Sequence, residues 1–246
     1  EEAVLVEERR AVVPERALFR SLAVPRRPAW DEGTSGEELA AREEASFLAW
    51  RREIAEAEEA ERARYATVAT VATPFERNLE VWRQLWRTLE RSDVVFVVTD
   101  ARWPEFYAPR DLLDYIAAVG AVAVVVVNKA DYLGRAQRAA WADHWRARGI
   151  RSAFFSAKRE QRRLDDPEAF ADEPEEEEEA AETRLLRPEE LLDVGRGLVR
   201  APKRWLAVLG VVGYPNVGKS SCVNALRGAS AHGVGARAAV SATPGK

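Results

Sequence analysis

The sequence predicts an α/β fold in which a mostly parallel sheet is flanked by helices and preceded by an N-terminal helical extension. Short apolar runs rich in valine alternate with segments of helical periodicity through the second half of the chain. Polar and glycine-containing motifs directly follow three of these runs. Because a doubly wound sheet binds its ligand at the carboxyl ends of the strands, we expect the three motifs to meet at one edge.

Four apolar runs are the expected strands of this sheet: residues 92–100, 121–127, 150–155 and 205–212. Helical segments are expected at about 111–119, 134–148 and 188–199, and a further helix opens over 221–226. The alternation of strands with helices is typical of a parallel sheet.

The first 72 residues are predicted to form a strap and a charged helix. Residues 24–30 are rich in proline and arginine, and they form either a flexible arm or a strap that docks on a partner through Trp30. Ser35 and Glu38 match a capping box, and a highly charged helix follows to about Arg64. Its apolar positions are sparse, so the helix either packs on the core by a narrow stripe or contacts a partner. These positions are Leu39, Phe47, Leu48 and Ile54.

A second helix opens the predicted α/β domain, which spans residues 73–246. Thr73 is the expected N-cap, with Pro74 in the first turn and Glu76 at the capping-box position. The helix is expected to end near Arg91. Its broad apolar face predicts a set of core residues, which are Phe75, Leu79, Trp82, Leu85, Trp86 and Leu89.

Residues 213–220 match the phosphate-loop pattern G-x-x-x-x-G-K-[ST] at every fixed position. Gly213 and Gly218 allow backbone N–H groups to turn towards phosphates, and the helix that follows points its N-terminus at the anion. We expect Lys219 to reach the β- and γ-phosphates as the catalytic candidate, and the Ser220 hydroxyl to ligate Mg²⁺. The predicted nucleotide contacts of this loop are Asn216, Val217, Gly218, Lys219, Ser220 and Ser221.

A guanine-recognition box, Asn128, Lys129 and Asp131, follows the second expected strand. The Asp131 carboxylate can accept both N1–H and the 2-amino N–H of guanine, a donor pair that adenine lacks. Asn128 can bind N7 and also brace the phosphate loop, and the Lys129 stem can cover the base. Taken alone, the tetrapeptide also fits a strand-to-helix turn with an Asx cap.

A third box, Ser156, Ala157 and Lys158, follows the third expected strand. In GTPases the backbone N–H of such an alanine faces the guanine O6, and we expect the same of Ala157. Three boxes that each follow a predicted strand support one another as parts of a nucleotide site.

The order of the boxes is reversed. Most guanine-nucleotide-binding domains place the phosphate loop near their start and the guanine box near their end, whereas here residue 128 precedes residue 213. The sequence therefore predicts a circularly permuted P-loop GTPase fold. A P-loop ATPase is disfavoured by Asp131, and a degenerate G domain that acts as a binding module, with nucleotide structural or absent, stays open.

Composition sets further bounds. The 246 residues are 47% hydrophobic, enough for one sizeable core with extensions, and the net charge of −4 gives no global basic footprint for nucleic acid. Cys222 is the single cysteine, so we expect it to pack rather than react. No apolar run approaches the ~20 residues of a membrane span, which fits a soluble protein of a reducing compartment. His144 is expected to be solvated, and neither it nor His232 has the neighbours of a metal site.

Residues 165–182 are acidic and poor in apolar side chains. The composition predicts a disordered insertion within the α/β domain, or an electrostatic decoy near a basic partner.

With these motifs in place, the chain resembles the circularly permuted GTPases of the YlqF/YawG type, which act in ribosome assembly. Three segments, residues 24–31, 46–52 and 73–87, are more specifically similar to the eukaryotic large-subunit GTPases that act late in cytoplasmic maturation of the large ribosomal subunit. The acidic insertion is also similar to that subgroup. The resemblance covers about residues 22–246.

The resemblance implies GTP and GDP binding with Mg²⁺, a GTPase activity, and a cytoplasmic location. It implies as partners the pre-ribosomal large subunit, with its rRNA and ribosomal proteins, and a nuclear export adaptor that is released; neither membrane nor DNA is implied. Asn216 matches an asparagine that coordinates K⁺ in potassium-activated relatives. A nucleolar or organellar paralogue, or an inert binding module on the pre-ribosome, remains an alternative.

The sequence departs from the family pattern in two places, and each departure predicts a change in structure or activity. Residues 100–107 hold bulkier side chains than the usual Asp-Ala-Arg-Asn-Pro stretch, which affects local contacts. Residues 243–246 resemble the start of the first switch, the sequence has no methionine, and no Asp-x-x-Gly box follows the phosphate loop within residues 221–246. We therefore expect an incomplete chain with strand 205–212 at an open edge, and expect this stretch to bind guanine nucleotide weakly without hydrolysing GTP.

Overall fold

The computed structural model describes residues 23–64, 75–166, 168 and 182–229. The chain divides into two compact units, Glu1–Gln84 and Leu85–Lys246. Each unit has a hydrophobic cluster of its own. The predicted domain division at residue 72 stays a prediction, and so does the disorder of the acidic insertion, most of which lies outside the described residues.

The first unit is built on helix α1, Gly36–Arg64. The Ser35 hydroxyl accepts a hydrogen bond from the Glu38 N–H at 3.1 Å, so the predicted cap is confirmed. Residues 23–30 run as an extended strap along α1. The Trp50 indole N–H donates to the Ala23 carbonyl at 2.5 Å, and Arg42 donates to the Ala29 carbonyl at 3.3 Å. The described part of this segment is therefore docked on the chain's own helix α1 and is not a free arm, whereas docking on a partner through Trp30 stays a prediction.

Glu43 is a buried carboxylate that joins the strap to both helices of this unit. Its side chain is 3% exposed and lies 2.8 Å from Arg27 of the strap. Its other oxygen lies 2.7 Å from Arg83 of the second helix. The sequence pattern did not identify this charge, because an isolated glutamate in a highly charged helix looks like any solvated one.

We expect Glu43→Gln to lower the free energy of unfolding of this unit by about 3 kcal/mol, because two largely buried guanidinium groups would lose their shared counter-charge. Denaturant unfolding followed by tryptophan fluorescence measures the change. Glu38→Gln is the matched control on the same helix, since its ion pair with Arg42 is about half exposed and should contribute less than about 1 kcal/mol. Equal effects of the two substitutions would contradict the assignment.

Helix α2, Leu79–Arg91, begins later than the sequence suggested. Residues 75–78 are not helical, and Thr73 and Pro74 lie outside the described residues. The side chain of Asn78 accepts a hydrogen bond from the Glu80 N–H at 2.9 Å, and Glu76 accepts one from the Asn78 N–H at 2.7 Å. Asn78 is the better N-cap, because its short side chain reaches the first free N–H group of the helix.

Aromatic side chains form the core of the first unit. Phe47, Trp50 and Ile54 are buried, and Trp50 meets Phe75 and Trp82 edge-on at 5.3 and 5.4 Å between ring centroids. The predicted apolar face of α2 is confirmed here by Leu79 and Trp82, and farther along the helix by Trp86 and Leu89, which are fully buried. Phe75 packs in the same cluster from the segment before the helix. Leu48 lies outside this packed stripe, since its side chain is 41% exposed, and a contact of Leu48 with a partner stays a prediction.

The second unit alternates strands and helices. In chain order they are β1 Val94–Asp100, α3 Arg110–Ala118, β2 Val122–Asn128, α4 Arg135–Ala147, β3 Arg151–Phe154, α5 Ala157–Asp165, α6 Pro188–Leu198, β4 Leu209–Val212 and α7 Lys219–Ala229. A short 3₁₀ turn, Ala130–Tyr132, follows β2. The other predicted helices of this unit begin within two residues of their expected positions. Helix α5 was not predicted. The Ser156 hydroxyl caps it and accepts a hydrogen bond from the Arg159 N–H at 3.3 Å.

The four described strands are parallel and lie in the order β3-β2-β1-β4. β1 is buried along its whole length, which explains its run of valines. On one face of the sheet, residues such as Phe96 and Val126 pack with α5, α6 and α7, and Cys222 of α7 is buried there. Burial raises the pKa of the Cys222 thiol to about 12, so its predicted packing role is confirmed. The fold class predicted from the sequence is confirmed, and β4 forms one edge of the described sheet.

The fourth strand is shorter than predicted. β4 begins at Leu209, whereas Trp205 and Leu206 are 89% and 56% exposed. The cause is the Asp93 carboxylate, which accepts hydrogen bonds from the backbone N–H groups of Lys203 at 2.7 Å and Val208 at 2.8 Å. These bonds close residues 203–208 into a loop before the strand starts.

Two smaller expectations concern His144 and membrane spans. His144 is not simply solvated: its ring meets Trp141 and Trp145 edge-on, and its Nε2 atom lies 3.4 Å from a Glu105 carboxylate oxygen. Within the described ranges no helix has the length and apolar character needed to span a bilayer.

Candidate guanine-nucleotide site

The three motifs meet at the carboxyl edge of the sheet. The phosphate loop follows β4, the guanine box follows β2, and the third box follows β3. Since all four strands are parallel, their carboxyl ends lie at the same end of the sheet, and the crossover helices return the chain to the opposite end. The sequence expectation about this meeting point is confirmed by the topology.

The backbone of the phosphate loop needs its two glycines. Gly218 has φ +100°, and a Cβ there would lie 2.2 Å from the Asn128 amide nitrogen. Gly213 has φ +153°, and a Cβ there would lie 2.4 Å from the Val98 carbonyl oxygen. Asn216 has φ 63°, a left-handed conformation that asparagine tolerates better than most residues. The loop is therefore wound tightly against β1 and the guanine box.

Lys219 and Ser220 are the first two residues of α7. The Lys219 ammonium donates to the Tyr214 carbonyl at 2.7 Å, which folds the side chain across its own loop, and partial burial lowers its pKa. The half-buried hydroxyls of Ser220 and Ser221 make no hydrogen bond within the described part of the chain. A helix N-terminus with a free hydroxyl fits a phosphate accompanied by Mg²⁺, which usually takes one or two protein ligands and several other oxygens.

Asn128 connects all three motifs. Its side chain is buried, and its Nδ2 atom donates to the Val217 carbonyl of the phosphate loop at 2.7 Å. Its Oδ1 atom accepts from the backbone N–H of Ala157 in the third box at 3.1 Å. The predicted brace of the phosphate loop therefore exists. The expected contacts of Asn128 with N7 and of Ala157 with O6 stay predictions, and the Ala157 N–H would have to exchange its partner for the base.

Lys129 makes a second bridge, which the sequence analysis did not foresee. Its backbone is left-handed, with φ 61°, and its ammonium lies 2.7 Å from an Asp100 carboxylate oxygen and 2.9 Å from the Asn216 carbonyl. Asp100 ends β1 and also accepts a two-pronged contact from Arg102. Burial raises the pKa of the Asp100 carboxyl, but hydrogen bonds from Arg102 and Lys129 outweigh it and hold that pKa well below its usual range.

Asp131 and Lys158 have the exposure that base recognition requires. Asp131 lies in the 3₁₀ turn after β2 with its side chain exposed, and makes no hydrogen bond or ion pair to the described residues. Lys158 is exposed in the first turn of α5, next to the buried Ser156. The Asp131 carboxylate is thus free to accept a donor pair from a ligand.

Aromatic rings line the phosphate loop on the side of residues 100–107. Tyr214, inside the loop, lies 5.8 Å from Tyr107 and 6.2 Å from Phe106 between ring centroids. Phe106 is 64% exposed. Two of the bulky residues noted in the sequence, Phe106 and Tyr107, therefore contact the phosphate loop itself. Burial raises the pKa of the Tyr214 hydroxyl.

Known GTPases are similar to this chain in sequence. Residues 208–246 match the family described as 50S ribosome-binding GTPase. Large subunit GTPase 1 of Saccharomyces cerevisiae is 37% identical over 94% of the chain, and that of Schizosaccharomyces pombe is 39% identical over 92%. The Danio rerio homologue is 34% identical over 91% of the chain. The chain covers 38%, 37% and 45% of these three proteins, respectively, and so spans about two fifths of their length.

Among solved structures, GNP-bound YlqF from T. maritima is 21% identical with a TM-score of 0.40, over 63% of this chain and 50% of that one. The chain carries its nucleotide motifs in permuted order. It is a homologue of the large subunit GTPase 1 proteins over most of its own length.

Proposed function

We propose that the protein binds guanine nucleotide and hydrolyses GTP, and that it acts as a nucleotide-dependent switch in maturation of the large ribosomal subunit. The observation that carries the proposal is the double hydrogen bond of Asn128, which joins the guanine box to the phosphate loop at Val217 and to the third box at Ala157. A residue so placed transmits the position of the base to the loop that holds the phosphates.

Guanine selectivity rests on Asp131. The exposed carboxylate has no partner among the described residues and can accept two N–H donors from the Watson–Crick edge of guanine. An adenine base would leave this carboxylate without its donor pair and place its own amino group elsewhere, which supports guanine over adenine nucleotides.

The phosphates would lie at the N-terminus of α7. The first N–H groups of a helix have no partner within the helix and can bind phosphate oxygens. Lys219 would exchange the Tyr214 carbonyl for phosphate oxygens. Ser220 is the residue that would hold Mg²⁺, whose charge offsets that of the β- and γ-phosphates when it is bound. We also propose that Asn216 takes part in a K⁺ site, which a comparison of nucleotide affinity in K⁺ and Na⁺ buffers tests.

The biological setting of the proposal comes from the relatives. The homologues are named for a GTPase of the large subunit, and the family that matches the C-terminal part is described as ribosome-binding. We propose a cytoplasmic role on the pre-ribosomal large subunit, with the rRNA, ribosomal proteins and a nuclear export adaptor as partners. Release of that adaptor would follow a change of the nucleotide state. Co-sedimentation with pre-ribosomal particles in GTP- and GDP-loaded states tests this setting.

Calorimetry with GDP, GTP and ATP tests nucleotide binding directly, and phosphate release measures hydrolysis. We expect guanine nucleotides to bind residues 1–246 weakly and ATP not to bind. Lys219→Ala should weaken GDP and GTP binding by roughly 10- to 100-fold, because it removes a charge-assisted phosphate contact. Lys158→Ala in the third box is the milder control. An unchanged affinity in Lys219→Ala, or ATP binding as tight as that of GTP, would count against the proposed site and favour a nucleotide-independent module.

A further inference from the structure

A basic and aromatic loop precedes β4. It lies at the amino-terminal end of that strand, whereas the nucleotide motifs lie at the carboxyl ends of the strands. Residues 200–207 are all exposed. The loop carries three cationic side chains and no acidic one, namely Arg200, Lys203 and Arg204. Trp205 is 89% exposed, the largest exposure of any large hydrophobic residue described. Because β4 runs from this loop to the phosphate loop, the two loops lie at opposite ends of one strand.

The loop is held in a fixed shape. Asp93 accepts hydrogen bonds from the Lys203 and Val208 backbone N–H groups, at 2.7 and 2.8 Å, and so clamps both ends of residues 203–208. The Lys203 ammonium donates to the Val119 carbonyl at 3.0 Å, which ties the loop to the end of α3. The clamp presents the next two side chains, Arg204 and Trp205, on a preorganised backbone, which reduces the entropy cost of binding.

These side chains have no partner in the described structure. Arg200, Arg204 and Trp205 make no hydrogen bond, ion pair or ring contact with any described residue. Arg91, at the end of α2 and two residues before the Asp93 clamp, is also exposed and unpaired within the described ranges. The local charge is positive although the chain as a whole carries a net charge of −4. A positive local charge beside an exposed indole fits an anionic partner with flat apolar groups.

We infer that this loop binds unpaired RNA, with a base stacked on Trp205 and adjacent phosphates paired with Arg200 and Arg204. Stacking on aromatic rings together with a cationic track is the usual way in which proteins hold single strands. A lipid surface is less suited, because Trp205 and Leu206 are the two large apolar side chains here, without an amphipathic helix behind them. The choice of RNA over DNA rests on the proposed function.

The test uses two fluorescein-labelled probes, a 12-nucleotide oligoadenylate and a ribose-phosphate 12-mer without bases, in anisotropy titrations with the purified protein. Trp205→Ala should weaken binding to oligoadenylate by roughly 5- to 100-fold and leave the abasic probe unaffected. Trp205→Phe should restore most of the affinity. Trp103→Ala is the matched control, because Trp103 is also an exposed tryptophan, at 71%, but follows β1 at the other end of the sheet.

A charge reversal tests the phosphate pairing. Arg204→Glu should weaken the binding of both probes at low salt and reduce the slope of log affinity against log salt by about 0.7 for each phosphate that is no longer neutralised. Arg52→Glu, an exposed arginine on α1 in the first unit, is the control and should change neither.

Equal RNA affinities of Trp205→Ala and Trp103→Ala would overturn the inference. So would Trp205-dependent binding to anionic vesicles (phosphatidylcholine with phosphatidylserine) alongside an RNA affinity that does not depend on Trp205. GDP calorimetry on the same variants keeps the two proposals apart. Loop variants should bind GDP like the parent protein, and a protein that binds RNA through Trp205 without binding GDP would refute the proposed function alone.

Discussion

Asp131→Asn should weaken GTP and GDP binding at least 100-fold and should create measurable binding of xanthine nucleotides. The carboxylate is exposed in the 3₁₀ turn after β2 and has no partner among the described residues, so the protein itself offers nothing to replace a missing bond to the base. An amide at this position would keep one acceptor oxygen but turn an N–H donor towards the other guanine donor, so one of the two hydrogen bonds would be replaced by a repulsive donor–donor contact. Xanthine has a carbonyl in place of the 2-amino group and can accept from the new amide.

Competition titrations with GDP, XDP and ADP measure this change. Asp143→Asn is the matched control, since Asp143 is exposed on α4 and pairs with Arg146 on the same helix face. The control should bind GDP normally. The base-reading role of Asp131 would be refuted by a variant that keeps its GDP affinity. A variant that loses GDP and gains no XDP binding would point instead to local unfolding, which the far-ultraviolet circular dichroism of the same sample detects.

Local patterns predicted much of the site, because the signal and the function lie in the same few residues. The phosphate loop and the guanine box each combine a fixed spacing with a preceding apolar strand, and the parallel topology then places them together. The brace by Asn128 was foreseen for the same reason, since the Asn-Lys-x-Asp pattern includes it. The sequence also predicted an open edge at strand 205–212, and β4 forms one edge of the described sheet.

Contacts between distant residues explain what the sequence analysis missed. Asp93 shortens β4 through hydrogen bonds to Lys203 and Val208, which are 110 and 115 residues away in the chain. Asp100 supports Lys129 across 29 residues, and Glu43 pairs with Arg83 across 40. The residues next to a carboxylate in the sequence do not show whether its side chain is buried and paired or solvated. The late start of α2 at Leu79 has a local cause, because the Asn78 side chain caps the helix, and the prediction from Thr73 did not take Asn78 into account.

Gly218→Ala should abolish nucleotide binding and also destabilise the α/β unit, because both effects arise from one steric conflict. At φ +100° an alanine is strained, and its Cβ would lie 2.2 Å from the Asn128 amide nitrogen. Relief of the clash would push Asn128 away from the Val217 carbonyl and break the hydrogen bond that joins the guanine box to the phosphate loop. We expect a loss of roughly 2–4 kcal/mol in the free energy of unfolding from backbone strain and an unsatisfied buried amide.

Denaturant unfolding and GDP calorimetry on the same preparation separate this effect from a general intolerance of alanine. Gly197→Ala is the control: its Cβ would meet nothing within 4 Å, and it lies within α6. Because Gly197 is the next-to-last residue of α6, the alanine should change the free energy of unfolding by less than about 1 kcal/mol and leave GDP binding unchanged. If Gly218→Ala retained GDP affinity, Asn128 would not be the link between base and phosphates, and the two motifs would have to act as independent binding elements.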